Sequence, residues 1–261
     1  MILRAMVGLE LRRLAVRPLG WVLAALTLAE LAWRFVLLLG GFLAAEVQLA
    51  ATPGGPGYTD LVAVPTLSSM LTGGMLPLGV AELALLAVPL LSMSAIAGDR
   101  GNGTLALLFA DGLPPWRIVL GKYLALLIWL GLWLALALAM PLALAPATTP
   151  DWGKLAAATL GIALELAALA AIGLACSAYA PHPALAASLS LLLGLALWLV
   201  NLGAQQAGLQ GGVADWLAMS AHLERFVRGL VSTGDLAWFV LLAALALALA
   251  IRRVGDERER G

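Results

Sequence analysis

Charge is what this sequence has least of. Asp, Glu, Lys and Arg make up 11% of its 261 residues, against 62% hydrophobic, and the mean hydropathy is +0.99. A soluble domain carries about 25% charged residues. A chain this poor in charge cannot coat a water-facing surface, so lipid must be the solvent for most of its length. Cysteine is almost absent. Cys176 stands alone in an apolar run, which excludes an internal disulfide framework and leaves a small core residue. The formal net charge is zero and by itself argues neither way about nucleic acid; no nucleic-acid partner is expected.

Catalytic and nucleotide-binding motifs are missing too. A phosphate-cradling loop needs G-x-x-x-x-G-K-[ST]. The two Gly-Lys pairs, Gly121-Lys122 and Gly153-Lys154, have Trp116 and Thr148 where the first Gly would stand, and neither Lys is followed by Ser or Thr. ATP and Mg would have to be bound by a partner chain, with no cofactor in this one. Histidine occurs twice, as His182 and His222. The topology derived below puts them on opposite sides, so they cannot share a metal within one chain. No H-E-x-x-H or G-x-S-x-G occurs. A non-catalytic chain is expected.

What is present is a series of long apolar runs. A helix needs about 20 apolar residues to cross the hydrocarbon core. Six runs qualify: Leu19–Leu43, Leu76–Ala97, Ile118–Leu142, Leu155–Ala178, Ala184–Leu202 and Leu236–Ile251. The last is short, with Arg252 and Arg253 placed to snorkel at its end. The first follows four arginines and is longer than a signal-peptide core, so a retained span is expected. The fold class is all-α integral membrane, one transmembrane domain over residues 1–261. No internal repeat is evident. The Leu-Ala runs at 134–139 and 241–250 are span filler, and small-xxx-small spacing is uninformative in so Ala-rich a chain.

Lys and Arg set the orientation. With the N-terminus in the cytoplasm, eleven of the fifteen basic residues fall inside: Arg4, Arg12, Arg13, Arg17, Arg100, Arg117, Lys122, Arg252, Arg253, Arg258 and Arg260. Only Lys154, Arg225 and Arg228 fall outside, and Arg34 lies within the first span. Both termini are therefore expected in the cytoplasm. The Leu and Ala content is that of a GC-rich bacterial genome, which points to a bacterial inner membrane.

Residues 2–17 form an amphipathic segment. Leu3, Val7, Leu11 and Leu14 share one stripe, Arg12 and Arg13 lie off it, and Pro18 ends or kinks it. An interfacial helix is expected. The first outer loop, about 44–75, contains Pro53-Gly54-Gly55-Pro56-Gly57 and no basic residue. Its half from Leu61 to Leu71 is expected to pack on the outer surface. The last outer loop, about 203–235, carries a second amphipathic stretch. Trp216, Met219, Leu223, Phe226 and Val227 share a face, with His222, Glu224, Arg225 and Arg228 elsewhere.

The inner loop between spans two and three, residues 99–117, is the most informative segment. A short helix fits from Gly103 to Asp111, with Asn102 or Thr104 at its start, Gly112 as the left-handed residue at its end, and Pro114-Pro115 blocking continuation. Leu105, Leu108 and Phe109 form an apolar ridge. By physics alone it is equally a docking helix for a soluble partner and an ordinary tight loop.

Here the chain resembles the ABC-2 type permeases, especially the gliding-motility GldF-like branch and its multi-copper-enzyme-maturation relatives. That family carries Glu-Arg-x-x-Gly-Thr-Leu-Glu-x-Leu-Leu, a Pro-containing turn, then Val-Leu-Gly-Lys. Arg100, Gly103, Thr104, Leu105, Leu107, Leu108, Val119, Leu120, Gly121 and Lys122 match. Pro89 and Met93 upstream, Gly173 and Ser177 at the end of span four, and the His222–Val231 stretch with Asp235 and Phe239 resemble the family too. Asp99 and Ala106 replace its two Glu residues, the Pro turn is shifted, and Pro181-His182-Pro183 replaces a polar turn after span four. The resemblance implies that the loop is a coupling helix seated in a groove of an ABC ATPase. Asp99 and Arg100 would make charged contacts there, Leu107 and Leu108 would fill the groove, and Trp116 and Arg117 would flank it. Lys122 would anchor span three at the headgroups or simply snorkel. The implied assembly is two ATPase subunits with two permeases, this chain and a second copy or homologue, with room for an auxiliary outer-face protein. The implied function is export of an amphiphilic or envelope-related substrate. A haem-exporter-like permease of cytochrome c maturation, a non-transporting scaffold and an intramembrane hydrolase are the other readings.

Charges within the spans are the remaining candidates. Glu30 and Arg34 are four apart on one face of span one, Glu82 lies in span two and Glu165 in the middle of span four. A lone charge at a helix centre costs roughly 3 kcal/mol on translocon scales, so each should meet a partner, a cavity or an interface. Glu30 and Arg34 suit a pair within one helix. Glu165 has no near partner in sequence; lining a translocation route, pairing with Arg34, or protonation are its readings.

Overall fold

The computed structural model describes residues 2–50, 55–72, 78–206 and 212–260. Among these the elements are helices, with no strand. In a bilayer the backbone must satisfy its own hydrogen bonds, and helices do this within one segment. The twelve α-helices are α1 (Ile2–Val16), α2 (Pro18–Ala50), α3 (Val64–Leu67), α4 (Val80–Ser92), α5 (Ala97–Gly101), α6 (Thr104–Ala110), α7 (Pro115–Leu142), α8 (Trp152–Tyr179), α9 (Pro183–Gln206), α10 (Val213–Leu217), α11 (Met219–Val227) and α12 (Thr233–Arg260).

Among the described residues six stretches are long and apolar enough to cross a membrane: Pro18–Ala45, Val80–Gly101, Pro115–Leu142, Trp152–Tyr179, Pro183–Val200 and Thr233–Glu259. They are the six runs of the sequence with shifted edges. The predicted start of the second, at Leu76, lies outside the described residues, as do Pro53, Gly54 and 207–211 of the predicted outer loops. α7 begins three residues early because Pro115 opens it at a position where no amide donor is needed. The last span is longer than its apolar run. Its polar final turns continue the helix to Arg260 and are put to use, as shown below.

α8 is the central helix, packed against α4, α7, α9, α11 and α12. Its small residues permit this. A Cβ on Gly161 would stand 2.5 Å from the Phe226 Cβ, and one on Gly173 would collide with the Ser92 hydroxyl. α4 and α8 bury most of their length, whereas α2 and α9 bury little of theirs.

Residues 58–69 contradict the expectation of a surface segment. A π-helical turn at Thr59–Ala63 runs into α3, and Tyr58, Val62, Val64, Leu67 and Ser68 are all buried among the long helices. Tyr58 donates to the Pro141 carbonyl at 2.9 Å and the Asp151 amide donates to Thr59 Oγ1 at 2.8 Å. The segment therefore starts level with the end of α7 and the start of α8 and descends into the bundle. α4 starts inside as well. Its far end is fixed to α8 by the Ser177 hydroxyl, which accepts from the Ile96 and Ala97 amides, each at 3.0 Å. Counting back along the two parallel helices sets Gly79 level with residue 160, about 12 Å below the start of α8.

We call the end of the bundle bearing α1, α6 and the last turn of α12 the α6 end, and the opposite one the α11 end.

Candidate functional site

At the α6 end, two bends isolate a short helix. Gly103 (φ +73°) and Gly112 (φ +72°) are both left-handed and bracket α6. An L side chain rarely adopts that backbone, so both corners call for glycine. The Gly112 amide donates to the Phe109 carbonyl at 3.0 Å, and Leu113 to Leu108 at 3.3 Å, closing the helix. Thr104 donates back to the Asp99 carbonyl at 3.2 Å.

The ridge of the sequence faces inward. Leu105 is buried, while Leu108 and Phe109 are half-buried against the core. The outward face is Gly103, Ala106, Leu107 and Ala110, with Leu107 66% exposed. Trp116 is exposed beside it, and the Arg117 guanidinium lies 5.0 Å from the Trp116 ring centroid. Of the two leucines expected to fill a partner's groove, only Leu107 points out.

The charges beneath α6 are internal. Asp99 and Lys122 are both buried and ion-paired to each other. Lys122 Nζ also reaches Glu10 Oε1 at 2.8 Å, and Arg13 Nη1 lies 3.1 Å from Glu10 and 3.2 Å from Asp99. Lys122 therefore neither snorkels nor anchors at headgroups. α1 supplies the other members because it lies on α7. A Cβ on Gly121 would stand 2.5 Å from Met6, so the glycine lets α1 settle close enough for Glu10 to meet Lys122. The buried residues of α1 are Met6 and Glu10, while Leu3, Val7, Leu11 and Leu14 of the apolar stripe are all half-buried.

Arg100 is likewise engaged within the chain. Its Nη1 and Nη2 donate to the carbonyls of Ala180 and Ala178, each at 2.6 Å, covering the carbonyl end of α8. Nη2 and Nε also hold Glu257 of α12, at 2.5 and 3.2 Å. In this conformation the charged contacts of Asp99 and Arg100 are intramolecular.

The charges within the spans stand around the inner start of α4. Glu82 Oε2 accepts the Gly79 amide at 2.9 Å, while Oε1 accepts the Ser69 amide and the Ser68 hydroxyl, each at 3.0 Å. Glu30 Oε1 accepts the Leu78 amide at 3.2 Å, and Arg34 Nε donates to the Pro65 carbonyl at 2.8 Å. Non-helical backbone at membrane depth is tolerated only when protein groups satisfy it, and these side chains do so. Glu30 and Arg34 thus reach different chain segments. Glu165 differs from them. It is fully buried at the middle of α8, neither carboxyl oxygen has a hydrogen-bond partner among the described residues, and Glu82 lies within its electrostatic range.

At the α11 end, Asp235 accepts from Arg225 Nε at 2.7 Å and lies 2.6 Å from His222 Nδ1, whose ring stacks on Trp238 at 4.5 Å. His222 Nε2 lies 2.9 Å from the Trp216 carbonyl. The sequence placed His222 off the buried face and Trp216 on it; the chain breaks at Ala218 between α10 and α11, which exposes Trp216 and turns His222 in. Nearby, Lys154 Nζ reaches Asp60 Oδ1 at 2.5 Å. Burial pushes the Asp60 carboxyl up, but hydrogen bonds from Lys154 and Gly57 and the lysine charge outweigh it, leaving it below the usual carboxylate range. Among the described residues no group of three metal-ligating side chains forms.

In comparison with known proteins, no protein-family model matches the chain and no curated protein matches its sequence.

Proposed function

We propose that this chain is the membrane-spanning permease subunit of an ABC-2 type exporter, with its α6 end in the cytoplasm of a bacterial inner membrane. A separate ATPase binds ATP and Mg and docks on α6; two such ATPases and a second permease complete the assembly. The observation that carries the reading is α6 itself. It is a short helix set off by two glycine corners, with Leu107 exposed, and the adjoining α5 is fixed to α1, α7, α8 and α12 through the ion pairs and hydrogen bonds of Asp99 and Arg100. A helix mounted that firmly passes a push from a docked partner into the spans rather than absorbing it. The bias of Lys and Arg toward this end supports the cytoplasmic side, and the resemblance of residues 99–122 to the ABC-2 loop supports the partner. Export of an amphiphilic or envelope-related substrate rests on that resemblance.

The test is co-purification with the Walker-motif ATPase encoded nearest to it. Wild type should retain the ATPase, and Leu107→Glu, a change at an exposed position, should lose it while its thermal unfolding midpoint stays put. Retention by Leu107→Glu would sink the role of α6. Failure of wild type with every candidate ATPase would favour a non-transporting scaffold.

A further inference from the structure

A cleft runs between α1–α2 and the pair α4 and α7, beside the ion-pair cluster of Glu10, Arg13, Asp99 and Lys122. Near the α6 end its wall is polar and includes Arg13, Arg17 and Ser94, with Glu10, Asp99 and Lys122 beside them around a shallow cavity of about 20 Å³. Farther along, its lining turns apolar, with Leu23, Ala24, Ala87, Trp129 and Leu130. Leu91 lines both parts and sets them side by side.

The charges at the polar part do not balance. Three cations face two carboxylates. Lys122 and Arg13 Nη1 together occupy Glu10 and Asp99. Arg17 is left with the Ser94 hydroxyl, at 2.6 Å, and among the described residues it has no carboxylate partner. Both arginines stand where α1 bends into α2, and Trp21 pins the same bend by donating to the Ala15 carbonyl at 2.7 Å. Trp at such a place marks the boundary between headgroups and hydrocarbon. The cleft therefore presents surplus guanidinium at headgroup level and an apolar trough directly beyond it.

We propose that this cleft binds one anionic phospholipid, with its phosphate at Arg17 and Arg13 and one acyl chain along Leu23, Ala24, Leu91 and Trp129. Guanidinium forms charge-assisted, forked hydrogen bonds to phosphate. A zwitterionic lipid brings its own ammonium and cancels the attraction, whereas an anionic one does not. Inorganic phosphate shares the guanidinium chemistry but has no use for the trough. The proposal stands apart from the permease reading and needs only that the chain spans a bilayer.

The test is native mass spectrometry of the full-length protein released from micelles containing equal amounts of the phosphatidylglycerol POPG and the phosphatidylcholine POPC. Wild type should retain POPG over POPC by about fivefold, the preference one basic residue gives near a membrane surface. Arg17→Gln should erase that preference. Arg12→Gln, an exposed residue of α1 outside the cleft, should keep it. Ala24→Leu, which narrows the trough, should lower POPG retention several-fold, with thermal unfolding confirming that each variant is folded. Equal losses in Arg17→Gln and Arg12→Gln would mean diffuse attraction and overturn the site. So would undiminished retention in Ala24→Leu, or displacement of POPG by inorganic phosphate at equal concentration.

Discussion

Lys122 sits 2% exposed inside a long apolar helix. A charge there is sustainable only because Asp99 and Glu10 surround it, and removing one member of a buried pair strands the others. Lys122→Met should therefore destabilise the protein by on the order of 3 kcal/mol, read as thermal unfolding in detergent. In an Asp99→Asn background the same change should cost clearly less, since less charge is then left unpaired. Asp60 works at the other end with a defined pH dependence. Its folded-state carboxyl lies below its unfolded value, so its contribution is present above the unfolded pKa and is lost as pH falls through the folded one. The stability gap between wild type and Asp60→Asn should close on acidification below the ordinary carboxylate range; a gap that persisted there would contradict the pairing. The sequence singled out Asp99, Arg100 and the charges within the spans because a charge in an apolar run is conspicuous. It missed Glu10, whose partner Lys122 lies 112 positions away on a helix that meets α1 only in the fold. Nothing in the periodicity of α1 shows that a carboxylate, rather than Val7 or Leu11, turns inward.

The six long helices were legible as elements because a run of apolar residues about 20 long has few other meanings. The segment Tyr58–Ser69 was not. Its hydrophobicity is too short for a span and also fits a surface helix, and only the packing of Tyr58 under Pro141 and of Ser68 against Gly79 shows that it descends. A Cβ on Gly79 would stand 2.7 Å from the Ser68 backbone, so the two strands of chain meet there only because that residue is glycine. α11 was found by its amphipathic spacing, and Met219, Leu223, Phe226 and Val227 are buried as that spacing expects; Trp216, beyond the break at Ala218, and the buried His222 depart from it. Asp235, in the first turn of α12, clamps that element. Asp235→Ala releases both His222 and Arg225, and α11 should then swing open. Limited trypsin digestion is expected to cut at Arg225 and Arg228 several-fold faster than in wild type; an unchanged cleavage rate would show that the apolar face of α11, seated on Gly161, suffices alone.

For the molecule as a whole, orientation is the property most cheaply checked. Cys176 is the single cysteine and is buried, so Cys176→Ala gives a background free of thiols. Leu107→Cys and Ser232→Cys, both at exposed positions at opposite ends, should then react oppositely in intact cells. A membrane-impermeant maleimide should label the Ser232 position at once and the Leu107 position only after the cells are opened. The reverse pattern would place α6 outside and remove the ground for an ATP-driven partner there. The two ends of the chain also have a practical meaning. Glu10 near the start and Glu257 near the finish both brace the α5–α6 corner, one through Lys122 and the other through Arg100. A copy lacking α1 and the last two turns of α12 would shed both props and leave the corner to wander.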